Sequence, residues 1–358
     1  MNTPAQQFTG TKPVDPKQQF DVAKLEQYLA SKIAGFRGPL TVEQFKGGQS
    51  NPTFKLLTPE KNYVLRRKPA GKLLASAHAV DREYKVITAL HGTDVPVAKT
   101  HLLCEDDAVI GTAFYVMDCV DGRVLWDPAL PGLAPEERRA IFMEMNRVIA
   151  ALHKVDYAAV GLSEYGKPGN YFTRQIDRWS KQYRASETKH IEAFENLMLW
   201  LPKNIPPGDE TSIVHGDYRL DNLIFHPGEA RIVAVLDWEL STLGHPLADF
   251  SYHYMTCHIP AGVFRGLAGA KIAQLGIPAE TEYVAAYCKA TGRSAIDPTH
   301  WDFCMAYNLF RLGAILQGIA GRVKDGTAAS AQAKAMGEAA GPLAELGWKQ
   351  VERILSRQ

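Results

Sequence analysis

The chain has 358 residues, 46% of them hydrophobic and 22% charged, and its 40 basic residues balance 39 acidic ones, so that the formal net charge is +1. This composition is ordinary for a soluble globular protein and gives no support to nucleic acid or an anionic membrane as a partner. The five cysteines are odd in number and form no C-x-x-C pair, which argues against a disulfide framework or a cysteine zinc site.

Targeting and membrane signals are weak. Residues 1–20 are polar and lack the apolar stretch of a signal peptide. The most apolar run that we identify, residues 108–117, is about half as long as a membrane-spanning helix requires. We therefore expect a soluble, cytoplasmic protein.

The first third of the chain has a sequence pattern that is mostly typical of β-strands. Residues 1–19 are rich in Pro, Gln and Thr and predict a loose arm. The helical spacing of Val22, Leu25, Leu29 and Ile33 predicts a helix that ends at Gly35. Further on, short apolar runs separated by turn residues predict five strands, with a helix at 75–90 after the third. The predicted strands cover residues 42–45, 53–57, 62–67, 100–104 and 111–117.

After residue 122 the pattern becomes helical. Helices are predicted at residues 135–153, 171–187 and 189–201 and in several stretches from residue 247 to the end. Only 213–214, 223–225 and 232–236 look β-like. We expect an α+β fold with a β-rich N-lobe at residues 20–118 and a helical C-lobe at 119–358, hinged near residues 117–122.

The strongest chemical signal lies in residues 213–225 and 232–239. The pattern predicts a β-hairpin with apolar arms and polar ends, where Asp217, Asn222 and Asp237 converge. Short oxygen-bearing side chains of this kind suit a hard divalent cation that keeps several waters. Phosphoryl transfer also needs a carboxylate for the attacking hydroxyl and a cation near the transferred group, for which Arg219 is placed.

The spacing H-x-D-x-x-x-x-N is that of the kinase catalytic loop. Together with the runs HGDYRLDNLIF, VAVLDWE and HPLADFSY, it resembles the aminoglycoside phosphotransferase and choline kinase superfamily, which has the protein-kinase-like fold. The resemblance runs from about residue 40 to about residue 254. It implies that Asp217 is the catalytic base, that Asn222 and Asp237 bind Mg²⁺, and that ATP, or alternatively GTP, is the phosphate donor.

Three neighbouring residues receive supporting roles. We interpret His215 as a structural histidine that holds the catalytic loop rather than as a titrating group. Asp249 resembles the buried aspartate that braces this loop in the family. Glu239 stands where protein kinases have the glycine of D-F-G, and it either contacts a metal-bound water or is solvated.

On the nucleotide side, the loop that contains Gly47, Gly48 and Ser50 allows a tight turn near phosphates. In the strand that follows, the alternation of side chains places Arg66 toward the cleft and Arg67 on the other face. We interpret Arg66 as the contact to the α- and β-phosphates, in the place of the kinase lysine, with Lys68 as a weaker alternative.

Two further nucleotide assignments depend on the resemblance. Glu83 matches the helix glutamate that pairs with the phosphate-binding cation. Val116 and Met117 lie in the strand that resembles the kinase hinge, whose main chain meets the adenine edge. Main-chain contacts leave little trace in the sequence, which keeps ATP and GTP open.

The acceptor side is less specific. Residues 126–128 and 170–179 resemble the subgroup of the superfamily related to the kinase-like domain fused to acyl-CoA dehydrogenases, which implies a hydroxylated acid or acyl thioester as the small-molecule substrate. An aminoglycoside would call for an acidic groove, whereas this stretch carries basic residues, namely Arg174, Arg178, Lys181 and Arg184. The competing interpretation is a helix with core aromatics and solvated arginines.

Other functions stay open. An aminoglycoside kinase is one alternative, and a nucleotide-binding pseudokinase with a regulatory role is another, favoured only by Arg66. A metallohydrolase that uses His215 and Asp217 lacks a second histidine at ligand spacing, and no A-P-E pattern of a protein kinase follows Asp237. The sequence carries no pattern that indicates an oligomeric state.

Overall fold

The structure, a computed structural model, describes residues 9–46, 51–69, 79–327 and 331–357. The contacts among them divide the chain into two units. The first contains the chain up to Trp126 together with Tyr157–Tyr165 and Arg219–Ser241, and the second contains the rest. The segment with Asn222 and Asp237 groups with the first unit. The division into an N-lobe at residues 20–118 and a C-lobe at 119–358 stays a prediction.

The first unit is built on a six-stranded antiparallel sheet with the strand order β1-β2-β3-β4-β6-β5. Its strands are β1 (Thr11–Lys12), β2 (Thr41–Phe45), β3 (Thr53–Leu57), β4 (Tyr63–Arg67), β5 (Thr100–Cys104) and β6 (Phe114–Asp118). The five predicted strands are all present. β1 was missed, because it lies in the segment predicted as a loose arm and pairs with only two residues of β2.

One face of this sheet is covered by helix α1 (Val22–Lys32). Asp21 caps the N-terminus of this helix, and its side chain accepts a hydrogen bond from Lys24 N. Leu25 and Leu29 are fully buried in a core with Phe54 and Leu65. Because side chains alternate along β4, Leu65 points into this core, and Arg66 points to the opposite face.

That opposite face carries helix α2 (Val80–Leu90), whose buried residues include Glu83 and Val86. The sequence predicted a start at residue 75, and residues 70–78 lie outside the described part of the chain. A four-residue helix, α3 (Asp107–Ile110), was not predicted and precedes β6.

A second, three-stranded sheet of the first unit carries the predicted metal ligands. β9 (Leu223–Phe225) pairs antiparallel with β10 (Ile232–Val235) and, on its other edge, with β7 (Arg123–Val124). The pairing of β9 with β10 confirms the predicted hairpin. It also explains why this segment belongs to the first unit, since β7 anchors it there.

The second unit is mostly helical. Its helices are α4 (Pro135–Lys154), α5 (Tyr171–Ser186), α6 (Glu192–Trp200), α7 (Pro246–Tyr254), α8 (Ile272–Leu275), α9 (Glu280–Thr291), α10 (Pro298–Lys324), α11 (Ala331–Glu338) and α12 (Ala340–Leu355). One small sheet joins β8 (Ser212–Val214) to β11 (Thr242–Gly244), a strand that the sequence analysis did not predict.

Helix α10 is the centre of this unit. Its N-terminus is capped by Asp297, whose side chain accepts hydrogen bonds from Thr299 N and His300 N, and Pro298 lies in the first turn. An 18-residue window of it has a mean hydropathy of 1.2 and would be long and apolar enough to cross a membrane, yet 78% of that window is buried inside the protein. Such burial is typical of a core helix. Among the described residues, it is the one helix that is long and apolar enough for such a span by length and composition.

Candidate active site

Arg66 and Glu83 form a buried ion pair in the first unit. Arg66 extends from β4, and its Nε lies 2.8 Å from Oε2 of Glu83 on α2. The exposed fractions of the two side chains are 11% and 1%. The sequence-based pairing of the strand arginine with the helix glutamate is therefore present as a contact, although an arginine replaces the lysine of protein kinases.

Two further donors hold the Glu83 carboxylate. Asn51 Nδ2 donates to Oε1 at 2.6 Å, and the Tyr115 hydroxyl donates to Oε2 at 3.2 Å. Burial raises the pKa of Glu83, and the positive charge of Arg66 and the hydrogen bonds from these two side chains oppose that rise. The carboxylate is thus held by a cation and two neutral donors.

The same guanidinium reaches the end of β10. Arg66 Nη2 donates to Asp237 Oδ1 at 2.7 Å and lies 3.6 Å from Glu239 Oε2. Burial lowers the pKa of Arg66, but Glu83 and the other anionic partners outweigh it and raise that pKa above its ordinary value. Arg66 is therefore a fixed positive charge among three carboxylates.

Asn222 and Asp237 come together because β9 and β10 pair. Leu236 N donates to Asn222 O at 2.8 Å, which places Asp237 at the same end of the hairpin as Asn222. Asp237 has φ 62° and ψ 61°, the left-handed region that Asp tolerates better than most residues. A carboxylate and an amide oxygen at one strand end are the hard ligands that Mg²⁺ prefers.

The other predicted residues of the first unit are placed as follows. Arg219 Nη2 lies 3.6 Å from Asp221 Oδ2. Lys68 Nζ lies 3.8 Å from the half-exposed Asp81 carboxylate and is not in the Arg66 cluster. Arg67 lies on the opposite face of the sheet, over the Phe20 ring at 5.1 Å, as the alternation predicted.

Val116 and Met117 are inner residues of β6, which is paired with β4 on one side and β5 on the other. Main-chain hydrogen bonding continues just beyond the strand, where Cys119 N donates to Asn62 O at 3.3 Å. A hinge contact to a nucleotide at Val116 or Met117 stays a prediction. Gly47, Gly48 and Ser50 lie outside the described residues.

In the second unit, Asp217 follows a tightly held turn. Gly216 has φ 82°, a left-handed conformation that glycine adopts at no steric cost. Asp217 N donates to His215 Nδ1 at 3.2 Å, and the fully buried His215 ring packs edge-on against Tyr218. These contacts fit the interpretation of His215 as a structural residue.

Asp249 on α7 accepts main-chain hydrogen bonds from this turn. Its Oδ2 accepts from His215 N at 2.7 Å, and its Oδ1 accepts from Gly216 N at 2.8 Å. Burial opposes its ionisation, but His153 and the donors of the turn lower the pKa of Asp249 below its ordinary value. A buried carboxylate thus fixes the main chain before Asp217.

Two residues that the sequence analysis missed complete the loop. The Tyr252 hydroxyl donates to Asp217 Oδ1 at 2.6 Å, and Arg311 Nη2 donates to Gly216 O at 2.6 Å. Tyr252 lies three residues after Asp249, one helical turn along α7, which was the only signal available in the sequence.

The basic residues of the predicted acceptor segment are mostly engaged locally. Arg174 Nη2 donates to Lys167 O at 2.6 Å, Lys181 pairs with Asp177, and Arg184 pairs with Glu187 and Glu195. Arg178 is exposed and lies over the Trp179 ring. Tyr171, Phe172 and Trp179 are buried. This pattern matches the competing interpretation, a helix with core aromatics and solvated basic residues.

Residues 41–307 match the model of the phosphotransferase enzyme family. The chain belongs to this phosphotransferase family. A solved structure from Ralstonia eutropha JMP134, described as a candidate aminoglycoside phosphotransferase, is 58% identical, covers 94% of this chain and 99% of that one, and has a TM-score of 0.87.

More distant structures show the fold of this chain. Choline kinase from Cryptosporidium parvum aligns over 94% of this chain and 97% of its own with a TM-score of 0.65 and 11% identity. The aminoglycoside phosphotransferase APH(4)-Ia, solved with AMP-PNP and hygromycin B, aligns over 90% and 98% with a TM-score of 0.57 and 15% identity. The predicted α+β, kinase-like fold is confirmed.

Curated relatives of this chain are much longer proteins. Acyl-CoA dehydrogenase family member 10 of Mus musculus is 45% identical over 341 residues, which are 94% of this chain and 32% of that protein. Family member 11 of Homo sapiens is 41% identical over 346 residues, 95% of this chain and 44% of that protein. The predicted resemblance to the domain fused to acyl-CoA dehydrogenases is confirmed, and the chain spans less than half the length of these relatives.

Proposed function

We propose that this phosphotransferase transfers the γ-phosphate of ATP to a hydroxyl group of a small molecule. The observation that carries the proposal is the position of Arg66, which contacts Glu83 and Asp237 at once. A cation held in this position suits a site that must order polyphosphate, since Arg binds phosphate oxygens in a bidentate manner.

Asp217 is the proposed catalytic base. Its carboxylate accepts the proton of the acceptor hydroxyl as the acceptor oxygen forms a bond to the γ-phosphorus. The bond from that phosphorus to the bridging oxygen breaks, and ADP leaves with the electron pair. Arg219 is proposed to offset the negative charge that develops on the transferred group.

Asn222 and Asp237 are the proposed magnesium ligands. Their oxygen donors fit a hard cation with several water ligands, and both belong to the end of one hairpin. When bound, Mg²⁺ supplies positive charge that neutralises the phosphates of the nucleotide. Glu239, 3.6 Å from Arg66, is proposed to act in the outer part of the same site.

The nucleotide assignments are proposals of the same kind. Arg66 is proposed to contact the α- and β-phosphates while Glu83 fixes its orientation. Gly47, Gly48 and Ser50 are proposed to cover the phosphates, and the main chain near Val116 and Met117 is proposed to meet the base. Both ATP and GTP are compatible with main-chain recognition, and the complex of APH(4)-Ia with AMP-PNP favours ATP.

For the acceptor, we favour a hydroxy acid or hydroxyacyl thioester. The support is the similarity to the acyl-CoA dehydrogenase family members, which exceeds 40% identity. An aminoglycoside kinase is the alternative favoured by the description of the Ralstonia eutropha protein, which is 58% identical. A regulatory pseudokinase is the third candidate.

An acceptor screen separates these candidates. Purified protein with Mg-ATP is assayed for ADP release against 3-hydroxybutyrate, 3-hydroxybutyryl-CoA and hygromycin B, with Asp217→Ala as the matched control. Turnover with the hydroxy acid or its thioester, lost in Asp217→Ala, supports the proposal, and turnover with hygromycin B alone supports the aminoglycoside kinase. Nucleotide binding without turnover, even with water as acceptor, supports the pseudokinase.

A further inference from the structure

Asp217 is held by its side chain as well as by its main chain. The Tyr252 hydroxyl donates a 2.6 Å hydrogen bond to Asp217 Oδ1, and Tyr252 itself is only 5% exposed. A charge-assisted bond of this length from a buried donor is strong compared with a neutral pair. It restricts the rotation of a carboxylate that is itself only partly buried.

The donor is in turn fixed by Arg311 of helix α10. The guanidinium lies 5.0 Å from the centre of the Tyr252 ring and donates to Gly216 O, and Arg311 is 5% exposed. Trp179 flanks the same guanidinium at 5.6 Å. A cation over the face of a phenol draws electron density from it and makes its hydroxyl a better hydrogen-bond donor.

Tyr252 and Asp249 lie one turn apart on α7 and contact different parts of the loop around Asp217. Asp249 accepts the main-chain N–H groups of His215 and Gly216, and Tyr252, one turn later, donates to the side chain of Asp217. The bonds to Asp249 hold the main chain of the turn, and the bond from Tyr252 holds the side chain of Asp217.

We propose that Tyr252, supported by Arg311, is a positioning residue that orients the Asp217 carboxylate toward the acceptor hydroxyl. The proposal rests on the proposed function, in which Asp217 is the base. Misplacement of a catalytic group by about 1 Å costs on the order of 10²-fold in rate, and none of the residues proposed to contact the nucleotide takes part in this hydrogen bond. Tyr252 is therefore expected to affect kcat and to leave the KM for Mg-ATP unchanged.

The test measures the hydrolysis of radiolabelled ATP. Water is the acceptor, so that no identified substrate is required. Tyr252→Phe keeps the ring and removes the hydroxyl, and we expect kcat to fall about 10- to 100-fold with the KM for Mg-ATP within about twofold of wild type. Tyr254→Phe is the matched control, because Tyr254 lies on the same helix, is 2% exposed and donates to Pro278 O at 3.2 Å. We expect it to retain the wild-type kcat.

A double variant separates positioning from general support. If Tyr252 acts through Asp217, Tyr252→Phe costs less than about twofold further in the residual rate of Asp217→Asn. An equal cost in both backgrounds, or a wild-type kcat in Tyr252→Phe, overturns the proposal about Tyr252 and leaves the role of Asp217 intact. No rate loss in Asp217→Asn, or no hydrolysis by the wild type, contradicts the proposed function and this inference together.

Arg311→Lys is a second variant that tests the proposal if the Tyr252→Phe protein does not fold. It keeps the positive charge but loses the planar group that lies over Tyr252 and the geometry of the bond to Gly216 O. We expect the same separation, a lower kcat at an unchanged KM for Mg-ATP. A folded Arg311→Lys protein with wild-type kcat counts against the proposal.

Discussion

Arg66 Nη2 lies 2.7 Å from Asp237 Oδ1, so the proposed phosphate contact and a proposed magnesium ligand touch each other directly. The two residues are far apart in the sequence and meet because β4 and the end of β10 belong to the same unit. Any cation that binds Asp237 has to share this carboxylate with Arg66 or displace it. In the proposed site, this contact would therefore couple phosphate recognition to metal binding.

Arg66→Met tests the energetic side of this cluster. It leaves the Glu83 carboxylate buried without its cation, and removal of one partner of a buried pair costs about 3–5 kcal/mol. Arg66→Met/Glu83→Gln removes both charges and is expected to recover a large part of that loss, because the Gln oxygen still accepts from Asn51. Urea unfolding measures both. A single variant within about 1 kcal/mol of wild type would mean that the pair is not buried in solution.

Arg82 is expected to hold helix α2 in place. Its Nη2 donates to Tyr165 O at 2.7 Å and to Ser241 O at 3.4 Å, and its guanidinium lies 4.4 Å from the centre of the Tyr165 ring. Arg82→Ala should cost about 1–3 kcal/mol and raise the KM for Mg-ATP, because Glu83 on the same helix loses its position. Hydrogen exchange of residues 80–90 measures the loosening, with Lys85→Ala as the control on the same helix. Unchanged exchange rates would contradict this role.

Two buried histidines predict a fall in stability below neutral pH. Burial lowers the pKa of His245 and of His253 to about 4 each. In the unfolded chain they titrate near pH 6.5, so the unfolded state binds protons first as the pH falls. The stabilisation is complete above about pH 6.5 and is lost progressively toward pH 4.

Urea unfolding at pH 7 and pH 5 checks this linkage. At about 1.4 kcal/mol per pH unit, each histidine should account for about 2 kcal/mol of the loss over this range. His253→Gln should remove its share of the pH dependence, whereas a substitution at the exposed His91 should leave it unchanged. A His253→Gln protein with the wild-type pH dependence would show that His253 has the same pKa in the folded and the unfolded state.

Asp237→Asn and Asn222→Ala are expected to abolish the effect of Mg²⁺ on nucleotide affinity. Calorimetric titration with AMP-PNP, with and without Mg²⁺, should show tighter binding with the metal for the wild type only. Asp217→Asn serves as the contrast, since it should keep the metal effect and lose turnover. A persistent metal effect in Asp237→Asn would place the metal on other ligands.

The parts of the site that were predictable from the sequence rest on local periodicity and on the family resemblance. Alternation along β4 placed Arg66 and Arg67 on opposite faces, and the resemblance assigned Glu83 on α2 as the partner of the phosphate-binding cation. Both expectations hold in the structure. The pairing of β9 with β10 was likewise visible as two short apolar runs.

The residues that were missed act through contacts between distant parts of the chain. Asn51 and Tyr115 reach Glu83 from two different strand ends, and Arg311 reaches Gly216 from helix α10. In a single sequence, Tyr252 is indistinguishable from a core aromatic, because both occupy the buried face of a helix. Only the geometry shows that its hydroxyl points to a carboxylate.

The most direct test of the proposed chemistry is a phosphorus NMR measurement of the fate of the γ-phosphate, with Mg-ATP, 3-hydroxybutyrate and 3-hydroxybutyryl-CoA, for the wild type and Asp217→Asn. We expect the wild type to form ADP and a phosphate ester, and we expect the rate to fall at least about 10²-fold in Asp217→Asn. An equal rate in both proteins, or the absence of ADP from the wild type even with water as acceptor, would contradict an alcohol phosphotransferase that uses Asp217 as its base.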